Sequence, residues 1–178
     1  MILLVGASAS GKTEIARFLS YRYGMKKAVT HTTRPIRPSE TPDVDYHFVS
    51  KEEFLRLKKQ DAFVETTEYN GNYYGCSKAE CADDKCIILD PSGVHSFRAL
   101  NDANIIVFYL RASEDLRMRR MLGRGDGEEM ATKRIENDRK AFTDELLPLV
   151  DYVIDCETGS IESLGQEVYS LYTSRMRR

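Results

Sequence analysis

"MILLVGASASGKTE" (residues 1–14) decides the fold. Four apolar residues, Ile2 to Val5, run straight into Gly6, Ala7, Ser8, Ala9, Ser10 and Gly11, and Lys12 and Thr13 follow at once. The apolar run lacks the alternation of a half-exposed strand, so it reads as a strand buried on both faces. Residues 12–23 read as the helix after it. Gly6 to Thr13 fits the pattern GxxxxGK-Thr and lies where its mechanism needs it, between strand and helix. Glycines at both ends permit backbone angles that other residues resist. Successive N–H groups can then point inward at phosphate oxygens, helped by the positive end of the helix. Lys12 can reach the β- and γ-phosphates, and the Thr13 hydroxyl can ligate Mg²⁺. An ordinary βα turn accounts for the glycines but not for Lys-Thr at this spacing. Residues 6–13 are therefore expected to hold a nucleotide triphosphate.

Outward from this loop, further apolar runs bounded by turn residues stand at 87–90, 105–110 and 151–155, with helical stretches at 92–102, 113–122, 128–145 and 160–174. Alternating strand and helix predict a parallel α/β sheet. The 178 residues suit one domain, and 30% charged with 42% hydrophobic residues describe an ordinary globular chain. A net charge of −2 gives no bulk attraction to nucleic acid or anionic membrane, so any anion site is local. No apolar stretch approaches a membrane span, and a cytoplasmic location is expected. Cys76, Cys81, Cys86 and Cys156 form no CxxC pair and read as free thiols.

Residues 30–78 break the rhythm. A Pro-rich loop leads to a short helix announced by the capping box Ser50 to Glu53, then to "FVETTEYNGNYYG" (63–75), where Asn70-Gly71 signals a hairpin. This segment is expected to form a small insert on the sheet. Its charges suit a phosphorylated ligand: Arg34 and Arg37 offer planar forks that bond two phosphate oxygens each. Taken singly, these arginines read more readily as solvated loop charges, and a tyrosine beside a hairpin as packing. GTPase-type guanine recognition is not expected, because no Asn/Thr-Lys-x-Asp segment follows late in the chain.

"THTTRPIRPSETPDVDYHFVSKEEF" (30–54), the FxE and GNYYG elements of 63–75, the phosphate loop and "GRGD" (123–126) stand in an order and spacing that resemble guanylate kinase, the family that moves a phosphoryl group from ATP to GMP. The resemblance covers nearly the whole chain. It implies a P-loop NTPase three-layer fold with a parallel core sheet, a small mixed α/β monophosphate-binding insert and a helical lid. The expected layout is a single unit 1–178, with its core at about 1–29, 79–121 and 129–178, the insert at about 30–78 and the lid at about 122–128 with the flanking helix ends. It further implies that Tyr46 and Tyr74 join Arg34 and Arg37 on the GMP phosphate, that Glu65 reads the guanine edge, and that Thr30 contacts its O6 side. A carboxylate suits guanine, which presents two donors at N1 and the 2-amino group.

In residues 113–135, Arg117, Arg120 and Arg124 fall at i, i+3 and i+7, with Arg134 on the next helix. The Gly-rich "GRGDGE" between them reads as a lid hinge. By resemblance Arg120, Arg124 and Arg134 gather the charge of the transferring group, giving a catalytic set of Lys12, Arg34, Arg120, Arg124 and Arg134. A basic stripe for nucleic acid is the weaker reading, since Glu114, Asp115, Asp126, Glu128 and Glu129 interrupt it. The chain departs from the family pattern at Ala9, where a third loop glycine is usual, at the single acid Asp90, and at "VIDCE", which replaces the usual Asn-Asp pair. Asp90 is open to two roles: a metal-side acid acting through water, or a second guanine reader. The function expected is ATP-dependent phosphorylation of GMP to GDP with Mg²⁺ and no nucleic-acid or membrane partner; oligomeric state is left open. Another phosphorylated acceptor, or a non-catalytic phosphopeptide-binding module, are the alternatives.

Overall fold

In a computed structural model of the chain, which describes residues 1–36, 38, 40–69 and 71–177, the opening run forms strand β1 (Ile2–Val5), and every one of its residues is fully buried. Loop residues 6–11 lead into helix α1 (Lys12–Tyr23). Gly24, at φ 70°, ends that helix, and Met25 N–H closes back on the Leu19 carbonyl at 3.3 Å. Strand β2 (Lys26–Lys27) follows, then β3 (His31–Thr32), β4 (His47–Phe48), α2 (Lys51–Lys59), β5 (Phe63–Tyr69) and β6 (Asn72–Ser77). The remainder is β7 (Lys85–Leu89), α3 (Pro91–Arg98), β8 (Ile106–Arg111), α4 (Glu114–Gly123), α5 (Glu128–Ala141), β9 (Tyr152–Asp155) and α6 (Ile161–Met176).

Five strands pair in parallel in the order β2-β7-β1-β8-β9, so β1 is central and the loop after it emerges mid-sheet at the carboxyl edge. That is where open α/β sheets place their ligands. Alternate residues of β1 feed two cores. Ile2 and Leu4 pack with Ile15 and Leu19 of α1 and Leu164 and Val168 of α6, while Leu3 and Val5 pack with Val94 and Phe97 of α3 and with Leu146. Each such side chain contributes about 1.5–3 kcal/mol on burial, which is why a strand this apolar belongs at the centre.

The second sheet has the order β4-β3-β6-β5 and is mixed: β3 runs parallel to β4, and β6 is antiparallel to both β3 and β5. The Ser50 hydroxyl caps α2 by accepting from Glu53 N–H at 3.1 Å, as the capping box predicts. Phe54 of α2 stacks on Phe63 at 4.6 Å and on Tyr73 at 5.4 Å. Gly75 lets that stack close, since a Cβ there would lie 3.1 Å from both Phe54 and Phe63. Asn70 of the expected hairpin lies outside the described residues; Gly71 takes φ 73°.

Two helix ends and one edge strand differ from the sequence reading. The helix expected over 92–102 stops at Arg98, ahead of Asn101 at φ 51°. The one expected over 128–145 stops at Ala141, and a 3₁₀ turn, Asp144–Leu149, carries Pro148, which cannot continue an α-helix. Edge strand β2 is two exposed lysines and gives no hydrophobic signal. All four cysteines are free thiols, as expected. No helix among the described residues is long and apolar enough to cross a membrane.

Candidate active site

The loop after β1 folds as its residue types require. A Cβ on Gly6 would sit 2.5 Å from the Leu110 carbonyl oxygen and 2.8 Å from Ser10 Oγ, so only glycine fits beneath the turn. Gly11 takes φ 109° as it enters α1. Ala9 also takes a left-handed conformation, φ 61°, where the family pattern has glycine. The substitution leaves the backbone shape in place, at a strain of about 1 kcal/mol.

Lys12 curls over this loop and donates from Nζ to the carbonyls of Gly6 at 2.6 Å and Ala7 at 2.8 Å. Burial pushes its ammonium down to about 8, with Arg117 adding to the fall and Asp138 opposing it. Lys12, Gly11, Ala9 and Thr13 line a cavity of about 530 Å³ together with Arg120 of α4 and Arg124, which caps that helix. Gly159, Ser160 and Ile161, at the turn from β9 into α6, line it as well. That last group was not anticipated, because nothing in "ETGSI" marks a ligand.

Thr13 also lines a second cavity of about 530 Å³, shared with Thr30 and Tyr46 from the segment before and around β3 and β4. The N-terminus of α1 therefore faces both spaces. Arg34 lies at the rim of the second sheet. Its guanidinium pairs with Glu40 at 2.6 Å, both side chains 14% exposed, and rests 5.5 Å from the Tyr46 ring and 5.8 Å from Phe48. Tyr74 interacts with the same guanidinium and lies 6.3 Å from Tyr46, ring to ring. Arg34, Tyr46 and Tyr74 thus form one cluster. Arg37 lies outside the described residues.

Glu65, on β5, is half-buried. Burial pushes its carboxyl up, a bond from Cys76 N–H at 3.0 Å works against this, and the charge of Asp90 adds to the rise. Asp90 stands just after β7, within electrostatic reach of Glu65. Its own side chain caps α3, accepting from Gly93 N–H and Ser92 Oγ at 2.8 Å each. It borders a separate hollow with Ser92, His95 and Lys140 rather than the Thr13 cavities.

The arginines of the predicted lid take different places. Arg124 and Arg134 converge on Asp126, at 2.6 Å and 3.3 Å. Arg120 donates instead to the Ala9 and Ser10 carbonyls at 3.2 Å each, and to that of Cys156 at 3.2 Å. Arg117, which shares a helical face with Arg120 and Arg124 by spacing, is buried and paired with Asp138 at 2.6 Å. The stripe spacing is right, but the face turns inward toward the phosphate loop.

A family model described as guanylate kinase matches residues 1–168. The guanylate kinase of Neisseria gonorrhoeae is 35% identical over 162 residues, which span 86% of this chain and 78% of that protein. That of Photobacterium profundum is 34% identical over 153 residues, covering 80% and 74%. Among solved structures, guanylate kinase from Anaplasma phagocytophilum superposes with a TM-score of 0.66 at 23% identity, covering all of this chain and 86% of that one. Shikimate kinase from Acinetobacter baumannii superposes at 0.54 with 15% identity, covering 99% and 94%, a likeness of fold alone. With its phosphate loop, arginine-bearing helices and second mixed sheet, the chain belongs to the guanylate kinase family.

Proposed function

We propose that this chain transfers the γ-phosphoryl group of ATP to GMP, giving ADP and GDP. The observation that carries this reading is the position of Thr13 and Lys12, at a helix N-terminus that opens on one side to Arg120 and Arg124 and on the other to Thr30 and Tyr46 of the insert. A donor phosphate on the first side and an acceptor phosphate on the second would meet at that N-terminus. The acceptor is already ionised, so no side-chain base is required; the protein supplies positioning, charge neutralisation and exclusion of water.

In this reading residues 6–13 cradle the donor phosphates, with Lys12 on the transferring group. Arg34, Arg37, Tyr46 and Tyr74 hold the GMP phosphate, Glu65 and Asp90 accept from the guanine N1 and 2-amino groups, and Thr30 takes the O6 side. Arg120 braces the loop, and Arg124 and Arg134 leave Asp126 to meet the transferring charge. The core comprises about 1–29, 79–121 and 129–178, the insert about 30–78 and the lid about 122–128. Its place of work is the cytoplasm, where both nucleotides are found.

Mg²⁺ fits the site as a nucleotide-borne cation. Thr13 offers one hydroxyl beside Lys12, and no group of three or more His, Cys, Asp or Glu side chains able to hold a metal occurs among the described residues. Such a set suits an ion carried mainly by phosphate oxygens and water, with Thr13 as its protein ligand. When bound, the ion supplies charge neutralisation between the β- and γ-phosphates. Asp90, which lines a hollow that Thr13 does not share and whose charge reaches Glu65, is assigned to the base rather than to the ion.

A coupled ADP-release assay with ATP, Mg²⁺ and each of GMP, dGMP, AMP, CMP and UMP tests the proposal. GMP-dependent turnover that disappears in Glu65→Ala and in Lys12→Ala supports it. Equal turnover with AMP rejects the base assignment, and turnover with no monophosphate dependence rejects the reaction.

A further inference from the structure

Ser8 is held from behind by two side chains that the reaction does not use. Asp138 Oδ2 accepts the Ser8 N–H at 2.9 Å and Arg117 Nη1 at 2.6 Å, and Asp138 Oδ1 accepts from Ser8 Oγ at 3.2 Å. Arg117 Nη1 also donates toward the Ser8 carbonyl at 3.4 Å. Arg117 and Asp138 are 5% and 13% exposed. Around them Met121 of α4 and Ala131 and Ile135 of α5 form a small apolar core that Ala9 of the loop joins. Asp138 lies four residues after Arg134, one turn along the same face of α5.

A buried ion pair adds little net stability, because desolvation offsets most of its attraction. This pair satisfies both backbone groups of a single phosphate-loop residue. We propose that Asp138 and Arg117 are positioning residues: they hold the phosphate loop in its binding shape and in register with α5, and so fix where Arg134 meets the donor phosphates. Two helices and the loop form one body, and nucleotide meets a cradle already shaped.

The inference rests on the reading of residues 6–13 as the donor cradle, and a binding measurement separates the two. ATP and GMP affinities are measured by calorimetry, without the second substrate, for the wild type, Asp138→Ala and the double variant Arg117→Leu/Asp138→Leu. The single variant strands a buried guanidinium and is expected to lower Tm. The double variant replaces the pair with apolar contact and is expected to recover it. ATP Kd is expected to rise about tenfold in both variants, the loss of a hydrogen bond to a charged group, with GMP Kd within about twofold of wild type. A double variant with recovered Tm and wild-type ATP affinity overturns the proposal and leaves the pair a folding element. If ATP binds the wild type and Lys12→Ala equally well, it is the cradle reading that falls, and the proposal falls with it.

Discussion

Replacing Lys12 by methionine keeps the length of the side chain and removes its charge, which changes how stability depends on pH. In the folded chain burial brings the Lys12 ammonium from its ordinary 10.5 down to about 8. Below pH 8 the group is charged in both states and the folded state bears the full cost of burying that charge. Between pH 8 and 10.5 the unfolded chain holds more protons, so folding stability rises with pH across this window. The difference amounts to about 3 kcal/mol over the whole window, and about 2 kcal/mol of it falls between pH 7 and 9.5. Urea titrations of wild type and Lys12→Met at a series of pH values measure it. The Met1 amine is also lowered by burial, but it is common to both proteins and cancels in the difference. Wild type should gain about 2 kcal/mol on the variant between pH 7 and 9.5. A flat difference, or one of opposite slope, refutes a buried, charge-strained lysine. The same reasoning predicts that ATP, by restoring the charge, draws about one proton onto the protein at pH 9 and none at pH 6.5, visible as buffer-dependent binding heat.

Ala9→Gly relieves a left-handed alanine worth about 1 kcal/mol, but it removes a methyl packed against Met121 and Ile135 and frees the unfolded backbone. These effects cancel to about zero, so Tm should move by less than about 2 °C; a gain of several degrees would mean that the loop carries more strain than its φ implies. Glu65→Gln should cut kcat/KM for GMP by about 100-fold or more, since a donor-reading carboxylate becomes an amide. Because burial raises the Glu65 carboxyl, wild-type stability falls as pH rises from 4.5 through the raised value, and the variant should gain on wild type from pH 4 to 7 in thermal melts. No such pH-dependent gain would place Glu65 in water. Gly165→Ala puts a Cβ 2.2 Å from the Phe18 ring between α1 and α6, and should cost about 2 kcal/mol, or about 6 °C in Tm by calorimetry. Unchanged melting would show that the helix pair has room to part.

The core was legible in the sequence wherever a local signal carried it. Ile2–Val5, the glycines at 6 and 11, the Lys-Thr pair, the Ser50 cap and the helix at 12–23 all act within a few residues of themselves, and each is realised as the residue types dictate. The helix ends at Arg98 and Ala141 fall short of the sequence reading because backbone geometry at Asn101, φ 51°, and Phe142, φ −101° and ψ 78°, outweighs the propensities around them. Tertiary structure alone decided the rest, since contacts between residues far apart in the chain have no local signature. Arg117 reads only as one of three arginines on a helical face until α5 brings Asp138 against it, 21 residues away and with Ser8 bonded to the same carboxylate. Glu65 feels the charge of Asp90, 25 residues further along the chain, only because the fold brings β5 near α3. Composition and spacing thus named the chemical groups, while the parallel sheet, by opening its central loop mid-edge, determined which of them line the cavities beside that loop and which pack behind it.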